Sequence, residues 1–114
     1  MIAKRVFLAS LTTIMTLLLA VSAAVAANAA SPASVDVKID NFSFGPQEQT
    51  VAVGTTVTWT NRDDIPHTVV STDGVFKSKV LDTDEKFSYT FAKAGTFAYF
   101  CSIHPKMTGK IVVQ

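Results

Sequence analysis

Short runs of alternating apolar and polar residues extend over most of the chain beyond residue 34. Val35, Val37 and Ile39 alternate with charged residues, and the same period of two recurs over residues 87–91. Such alternation is typical of a half-buried β-strand, because successive side chains of a strand point to opposite faces. Further strands are predicted at residues 49–53, 56–60, 68–71, 96–101 and 110–113.

Turn-forming residues separate these runs. Phe42 and Phe44 also alternate, but one residue out of phase with the first run, which predicts a bend or bulge near Asn41. Gly45-Pro46 and Gly54 interrupt the pattern further along. Residues 61–64 are a loop by composition, and residues 75–85 have no clear period. Several short strands without a helical period predict an all-β domain, either a β-sandwich or a small barrel.

The first thirty residues have a different composition. Lys4 and Arg5 precede an uncharged run rich in Leu, Ile and Val, and small residues near Ala26 and Ala29 fit a cleavage site. These features predict a cleaved secretory signal peptide over residues 1–30 and one domain over residues 31–114. The alternative is an uncleaved anchor, because the uncharged run from residue 6 to residue 35 is long enough to span a bilayer.

Charge and cysteine content restrict the function of residues 31–114. This part of the chain carries eight basic and nine acidic residues, and it lacks the basic stripe expected of a nucleic-acid-binding protein. Its single cysteine, Cys101, cannot form an intramolecular disulfide, although an exported protein meets an oxidising compartment. We therefore expect this thiol to be buried or bound to a metal, which would also stabilise so small a domain.

The segment CSIHPKM concentrates metal-binding side chains. Two residues separate Cys101 from His104 and two more separate His104 from Met107, while His67 lies further upstream. Singly, such residues are common in cores and loops. Together they are the donor set of a blue-copper site, two His and one Cys with a weak axial Met, in which soft sulfur suits Cu(I) and imidazole suits Cu(II). Zinc fits less well, because structural zinc sites prefer four Cys or His ligands.

Two long segments, NFSFGPQEQTVAVGTTVTWTNRDDIPHTVVS and FSYTFAKAGTFAYFCSIHPKMTGKIVV, resemble the cupredoxins, the blue-copper family that includes amicyanin and plastocyanin. The short C-x2-H-x2-M spacing is most similar to that of amicyanin. The resemblance implies a Greek-key β-sandwich of about seven to eight short strands with one type 1 copper at one end. The ligands that it implies are His67, Cys101, His104 and Met107.

The resemblance also implies that electrons pass through His104, which in this family reaches the surface through an apolar patch. The residues expected in that patch are Ile65, Pro66, Ile103 and Pro105; the alternative is that they only pack the loops. A charged rim around it either orients a partner or simply faces solvent. The residues expected in the rim are Arg62, Asp63, Asp64 and Lys106.

Two positions depart from the family pattern. Thr68 stands where related proteins usually have an Asn that ties the two ligand loops together, so we expect a weaker or different tie. Ile103 stands where proline often precedes the second histidine. Because Ile103, unlike proline, has a backbone N–H, we expect it to donate a hydrogen bond to the sulfur of Cys101.

The leading hypothesis is an exported, periplasmic and monomeric blue-copper electron carrier that is not an enzyme. Its expected partners are redox proteins, either a c-type cytochrome or a periplasmic dehydrogenase or reductase, without nucleic acid and without stable membrane association after cleavage. The alternative is a copper-handling protein (a chaperone, store or resistance factor). Such proteins often have additional Met or His motifs, and residues 31–114 contain none beyond the four expected ligands. A third hypothesis, a cysteine nucleophile activated by His104, leaves Met107 and His67 without a role.

Overall fold

The structure, a computed structural model, describes residues 33–114, which form two four-stranded β-sheets. In spatial order, the first sheet contains β2 (Ser43–Gly45), β1 (Ser34–Asp40), β4 (Thr56–Asn61) and β6 (Lys86–Thr90). The second sheet contains β3 (Glu48–Val51), β8 (Thr108–Val113), β7 (Gly95–Phe100) and β5 (Val70–Ser71). The predicted all-β sandwich is confirmed.

The described range contains no helix, and hence none long and apolar enough to cross a membrane. The predicted signal peptide, with its possible use as an anchor, lies outside the described residues.

Strand alternation builds the core between the sheets. The inward side chains of β1 and β4 include Val37, Ile39 and Trp59, and those of the second sheet include Tyr99 and Ile111. The Trp59 and Tyr99 rings meet edge to face across the sandwich, with centroids 5.4 Å apart. Full burial of side chains of this size stabilises the fold by about 1.5–3 kcal/mol each. The period of two therefore specifies which face of each strand is inside.

The predicted bend near Asn41 is a two-residue turn. β1 and β2 pair antiparallel, with Asp40 opposite Ser43, and the two residues between them, Asn41 and Phe42, have φ values of 50° and 56°. Positive φ at both central positions is the geometry of a type I′ hairpin turn, which matches the twist of the flanking strands. The Phe42 side chain is 54% exposed, whereas Phe44 is buried.

Loops gather at both ends of the sandwich, and one end receives all the predicted ligands. β4 and β7 finish at this end and β8 begins there, so the segments 62–69 and 101–107 meet. At the opposite end, Val53 donates its N–H to the carbonyl of Gln114, and Gly54 donates its N–H to that of Phe91.

The second sheet has a shorter strand than the sequence predicts. The strand expected at residues 68–71 is reduced to Val70–Ser71, because the backbone N–H of Thr68 faces the sulfur of Cys101 and His67 pairs with Leu81 instead. Residues 75–85, which have no clear period, contain only isolated bridges to His67 and Val70, as their pattern suggests.

Candidate metal centre

The loop that connects β7 to β8 carries three of the four predicted ligands. Cys101 follows β7 directly and Met107 precedes β8 directly. The Cys101 N–H donates to the carbonyl of Met107 at 3.0 Å, and the Met107 N–H donates to the carbonyl of His104 at 2.9 Å. Since β7 and β8 are paired neighbours, these two bonds close the loop into a compact turn that brings the backbones of the three residues close together.

The fourth predicted ligand, His67, comes from the loop between β4 and β5. Its N–H donates to the carbonyl of Leu81 at 3.1 Å, and its carbonyl accepts the Leu81 N–H at 2.8 Å. The side chain is fully buried. Pairing on both backbone groups fixes the position of this residue, although it lies outside any strand.

Two imidazoles and one thiol converge at this end of the sandwich. The Nδ1 atoms of His67 and His104 lie 3.7 Å and 3.8 Å from the sulfur of Cys101, and one ligand atom from each residue lies within 4.8 Å of the others. Cys101 is fully buried, His104 is half-buried and Met107 is buried. The structure thus brings together the residues that the sequence predicts, and the donor set of two imidazoles, one thiol and one thioether suits copper.

The electrostatics of the site favour the thiolate that a metal needs. Burial of Cys101 opposes ionisation. Hydrogen bonds to the sulfur, led by the one from the backbone N–H of Thr68, outweigh this effect and lower the pKa of the Cys101 thiol to about 6. A thiol with this pKa is mostly ionised at neutral pH, so the site is prepared to receive a cation.

Asp63 lies inside the site and not on the solvated rim where the sequence places it. It is 8% exposed, and its Oδ2 accepts a hydrogen bond from Nε2 of His67 at 2.7 Å. The same carboxylate accepts the backbone N–H groups of Asn41 and Phe42. Burial alone would raise the pKa of Asp63, but these hydrogen bonds outweigh it and hold the pKa below its usual value.

A carboxylate that accepts from the second nitrogen of a ligand histidine is a common supporting group of metal sites. The spacing of four residues between Asp63 and His67 is the sequence signal that could have identified it. The neighbouring Asp64 is exposed, as expected.

Phe42 is a second residue of the site that the sequence does not reveal. Its ring stands edge to face against both histidines, with centroids 5.7 Å from His67 and 5.2 Å from His104. The β1–β2 turn therefore contributes to this end of the molecule, together with the two ligand loops. Phe42 and Ile103, which is 44% exposed, add apolar surface next to His104.

Thr68 connects the two ligand loops through its hydroxyl group, whereas the Asn of related proteins would use a side-chain amide. Its hydroxyl oxygen accepts the backbone N–H of Ser102 at 2.7 Å and lies 2.7 Å from the Ser102 hydroxyl. Its own N–H is directed at the sulfur of Cys101, 3.4 Å away. The expectation that Ile103 supplies this N–H is wrong: among the described residues, the backbone N–H that donates to this sulfur is that of Thr68, and Ile103 makes no such hydrogen bond.

The sequence matches the Cupredoxin-like domain over residues 11–113. The chain belongs to the cupredoxin family. The match covers nearly the whole sequence, including both segments that carry the predicted ligands. The predicted family is confirmed, and with it the predicted copper cofactor.

Amicyanins are among the relatives of this cupredoxin. It is 38% identical over 86 residues to amicyanin from Paracoccus denitrificans, a match that covers 71% of this chain and 66% of that protein. It is 38% identical over 101 residues to amicyanin-alpha from Methylorubrum extorquens, a match that covers 84% of this chain and 85% of that one. The chain thus spans about two thirds of the length of the first relative.

A solved structure supports the same relationship. The reduced Cu(I) form of an amicyanin variant superimposes on this cupredoxin with a TM-score of 0.68 at 36% identity, covering 74% of this chain and 85% of that one. The overall fold of this cupredoxin is therefore shared with a protein that holds copper.

Proposed function

We propose that this cupredoxin is an exported electron carrier of the periplasm, in which His67, Cys101, His104 and Met107 hold one type 1 copper ion. The observation that carries the proposal is the convergence of two Nδ1 atoms on the sulfur of Cys101, within 4.8 Å of one another. The bound copper would supply a one-electron couple between Cu(I) and Cu(II).

The contribution of the chain is to keep the ligands in place in both oxidation states. His67 is held by Leu81 on its backbone, and Cys101 is tied to Met107 across the turn. The hydroxyl of Thr68 connects the two ligand loops through Ser102. Because these contacts are independent of the metal, little rearrangement is needed when the charge of the site changes.

His104 is the proposed exchange point for electrons. It is the partly exposed member of the three converging residues, while Cys101 and His67 are fully buried. Ile103 and Phe42 place apolar surface on either side of it, and apolar surface near a redox centre allows a partner to approach without trapping water. The proposed partners are redox proteins, a c-type cytochrome or a periplasmic dehydrogenase or reductase.

The test is the visible and EPR spectrum of the Cu(II)-loaded protein beside Cys101→Ser and Met107→Leu. The expected result is an intense thiolate-to-copper band with narrow hyperfine splitting. This band should be lost in Cys101→Ser and altered in Met107→Leu. A pale Cu(II) spectrum that does not depend on Cys101 would contradict the proposal and favour the copper-handling alternative.

A further inference from the structure

The carboxylate of Asp63 joins two parts of the copper end that are far apart in sequence. Oδ2 accepts from Nε2 of His67 at 2.7 Å and from the N–H of Phe42 at 3.0 Å, while Oδ1 accepts the N–H of Asn41 at 2.7 Å. One side chain therefore contacts both the loop that carries a ligand and the turn between β1 and β2.

The backbone of Asp63 is itself held firmly. Its N–H donates to Oδ1 of Asn61 at 2.9 Å, and its carbonyl accepts the hydroxyl of Thr83 at 2.6 Å. The amide of Asn61 in turn donates to the carbonyls of Ile65 and Leu81. The carboxylate thus projects from a fixed point, and it can orient the groups that bond to it.

The first consequence concerns the position of the hydrogen on the ligand imidazole. Both oxygens of Asp63 already accept backbone N–H groups, from Asn41 and Phe42, so the carboxylate acts as an acceptor and Nε2 of His67, 2.7 Å from Oδ2, carries the hydrogen. Nδ1 is then the nitrogen with a free lone pair, and it is the atom that faces the sulfur of Cys101 at 3.7 Å. Asp63 therefore selects the tautomer in which His67 can bind a metal.

The second consequence concerns the turn. Asn41 and Phe42 both have positive φ, a conformation that residues other than glycine adopt only when their surroundings support it. Both N–H groups of this strained pair point at the Asp63 carboxylate. Held in this way, the turn carries the half-exposed ring of Phe42 against the edges of both histidines.

We propose that Asp63 is a positioning residue of the copper site: it fixes the orientation of His67 and, through the Asn41–Phe42 turn, holds Phe42 as a shield over both histidines. This inference rests on the proposed function, because it takes His67 and His104 to be copper ligands. A carboxylate on the far side of the imidazole also makes Nδ1 a stronger donor, which favours Cu(II) over Cu(I).

The matched test compares Asp63→Asn with Asp64→Asn. Both variants remove one negative charge from neighbouring positions, but only Asp63 contacts the site. Asp63→Asn should weaken copper binding about 10–100-fold, in the range typical of such supporting groups. It should also raise the reduction potential, whereas Asp64→Asn should leave the affinity within about twofold of the wild type.

A second pair of variants tests the shield. Phe42→Ala should release copper severalfold faster to a chelator, because water reaches the histidines, and Val53→Ala serves as the control. Val53 is similarly exposed but lies at the opposite end of the sandwich. In Phe42→Ala the tautomer of His67 should be unchanged, since its bond to Asp63 remains.

A third measurement needs no substitution and covers the case in which Asp63→Asn does not fold. Nitrogen-15 NMR of the metal-free wild-type protein should show the His67 ring with its hydrogen on Nε2, and a hydrogen on Nδ1 would overturn the inference. Equal effects of Asp63→Asn and Asp64→Asn on copper affinity would also overturn it. In both cases, an intact blue band in the wild type would leave the proposed function standing.

Discussion

Thr68 directs its backbone N–H at the sulfur of Cys101, 3.4 Å away, across the gap between two ligand loops. Its hydroxyl oxygen accepts the N–H of the next residue, Ser102, at 2.7 Å. One residue thus serves two purposes. The N–H stabilises the thiolate, and the hydroxyl holds the start of the 101–107 turn against the segment that contains His67.

The hydroxyl of Thr68 can be tested for its contribution to stability. Thr68→Val keeps the size and the backbone N–H but leaves the Ser102 N–H without its partner. We expect the free energy of unfolding of the metal-free protein to fall by about 1–2 kcal/mol, as measured by urea denaturation. Thr58→Val is the matched control, because its hydroxyl pairs with Ser88 on the exposed face of the first sheet. A loss as large in the control would contradict the tie between the loops.

The close approach of Gly109 to Tyr99 predicts that no side chain is tolerated there. A Cβ at Gly109 would overlap the hydroxyl end of the Tyr99 ring. Gly109→Ala should therefore destabilise the fold by about 1–3 kcal/mol, the usual cost of overpacking, and lower the thermal midpoint. Gly45→Ala is the control, since a Cβ at that position meets only one atom, at an ordinary distance of 3.8 Å. Equal midpoints for the two variants would rule out this packing constraint.

Tyr99 also predicts a loss of stability at high pH. Burial raises the pKa of Tyr99 to about 12, and the hydroxyl is buried without a hydrogen-bond partner among the described residues. Below about pH 10 the phenol is protonated in both the folded and the unfolded chain, so it adds no pH dependence. Between about pH 10 and 12 only the unfolded chain loses the proton, and the free energy of unfolding should fall by about 2–3 kcal/mol.

Urea denaturation across this pH range, for the wild type and for Tyr99→Phe, measures the effect. The part of the decline that is due to this phenol should disappear in Tyr99→Phe. If both proteins lose the same free energy of unfolding between pH 10 and 12, another group is responsible.

The proposed electron exchange through His104 predicts that a charge on the apolar surface beside this residue slows electron transfer. Ile103→Lys should reduce the rate constant for oxidation by a c-type cytochrome about tenfold, equivalent to about 1.4 kcal/mol, with an unchanged blue band. Val53→Lys adds the same charge to a similarly exposed position at the opposite end. Stopped-flow kinetics on the two variants distinguishes a local effect from one of net charge, which would slow both alike.

The sequence predicts most of the fold and the three converging residues because both depend on local patterns. Alternation identifies the strands around Val37 and Trp59, and the spacing within CSIHPKM gathers three donors in one loop. The role of Asp63 is not predictable in this way. Its backbone partners lie 21 and 22 residues away, and only the meeting of the β1–β2 turn with the loop after β4 brings them together.

The contacts of the Phe42 ring with the two histidines are also not predictable from local patterns. The bend near Asn41 is visible in the phase of the apolar residues, but the pattern does not show what the exposed aromatic side chain touches. The donor to the Cys101 sulfur is wrongly predicted for a related reason. Thr68 lies 33 residues before Cys101 in the other ligand loop, and only the meeting of the two loops brings its N–H to the sulfur.

The two ends of the sandwich lie at very different distances from the copper site, so electrons can reach that site quickly from one end only. β7 has six residues, so the loop around Val53 and Gly54 is about 20 Å from the copper end. Electron tunnelling over that length of protein is far slower than across a contact at His104. A protein attached to an electrode through residue 53 would hold the copper away from the electrode surface. The copper end would then remain accessible to a soluble partner. Attachment beside Ile103 would connect the copper to the electrode and close the site to that partner.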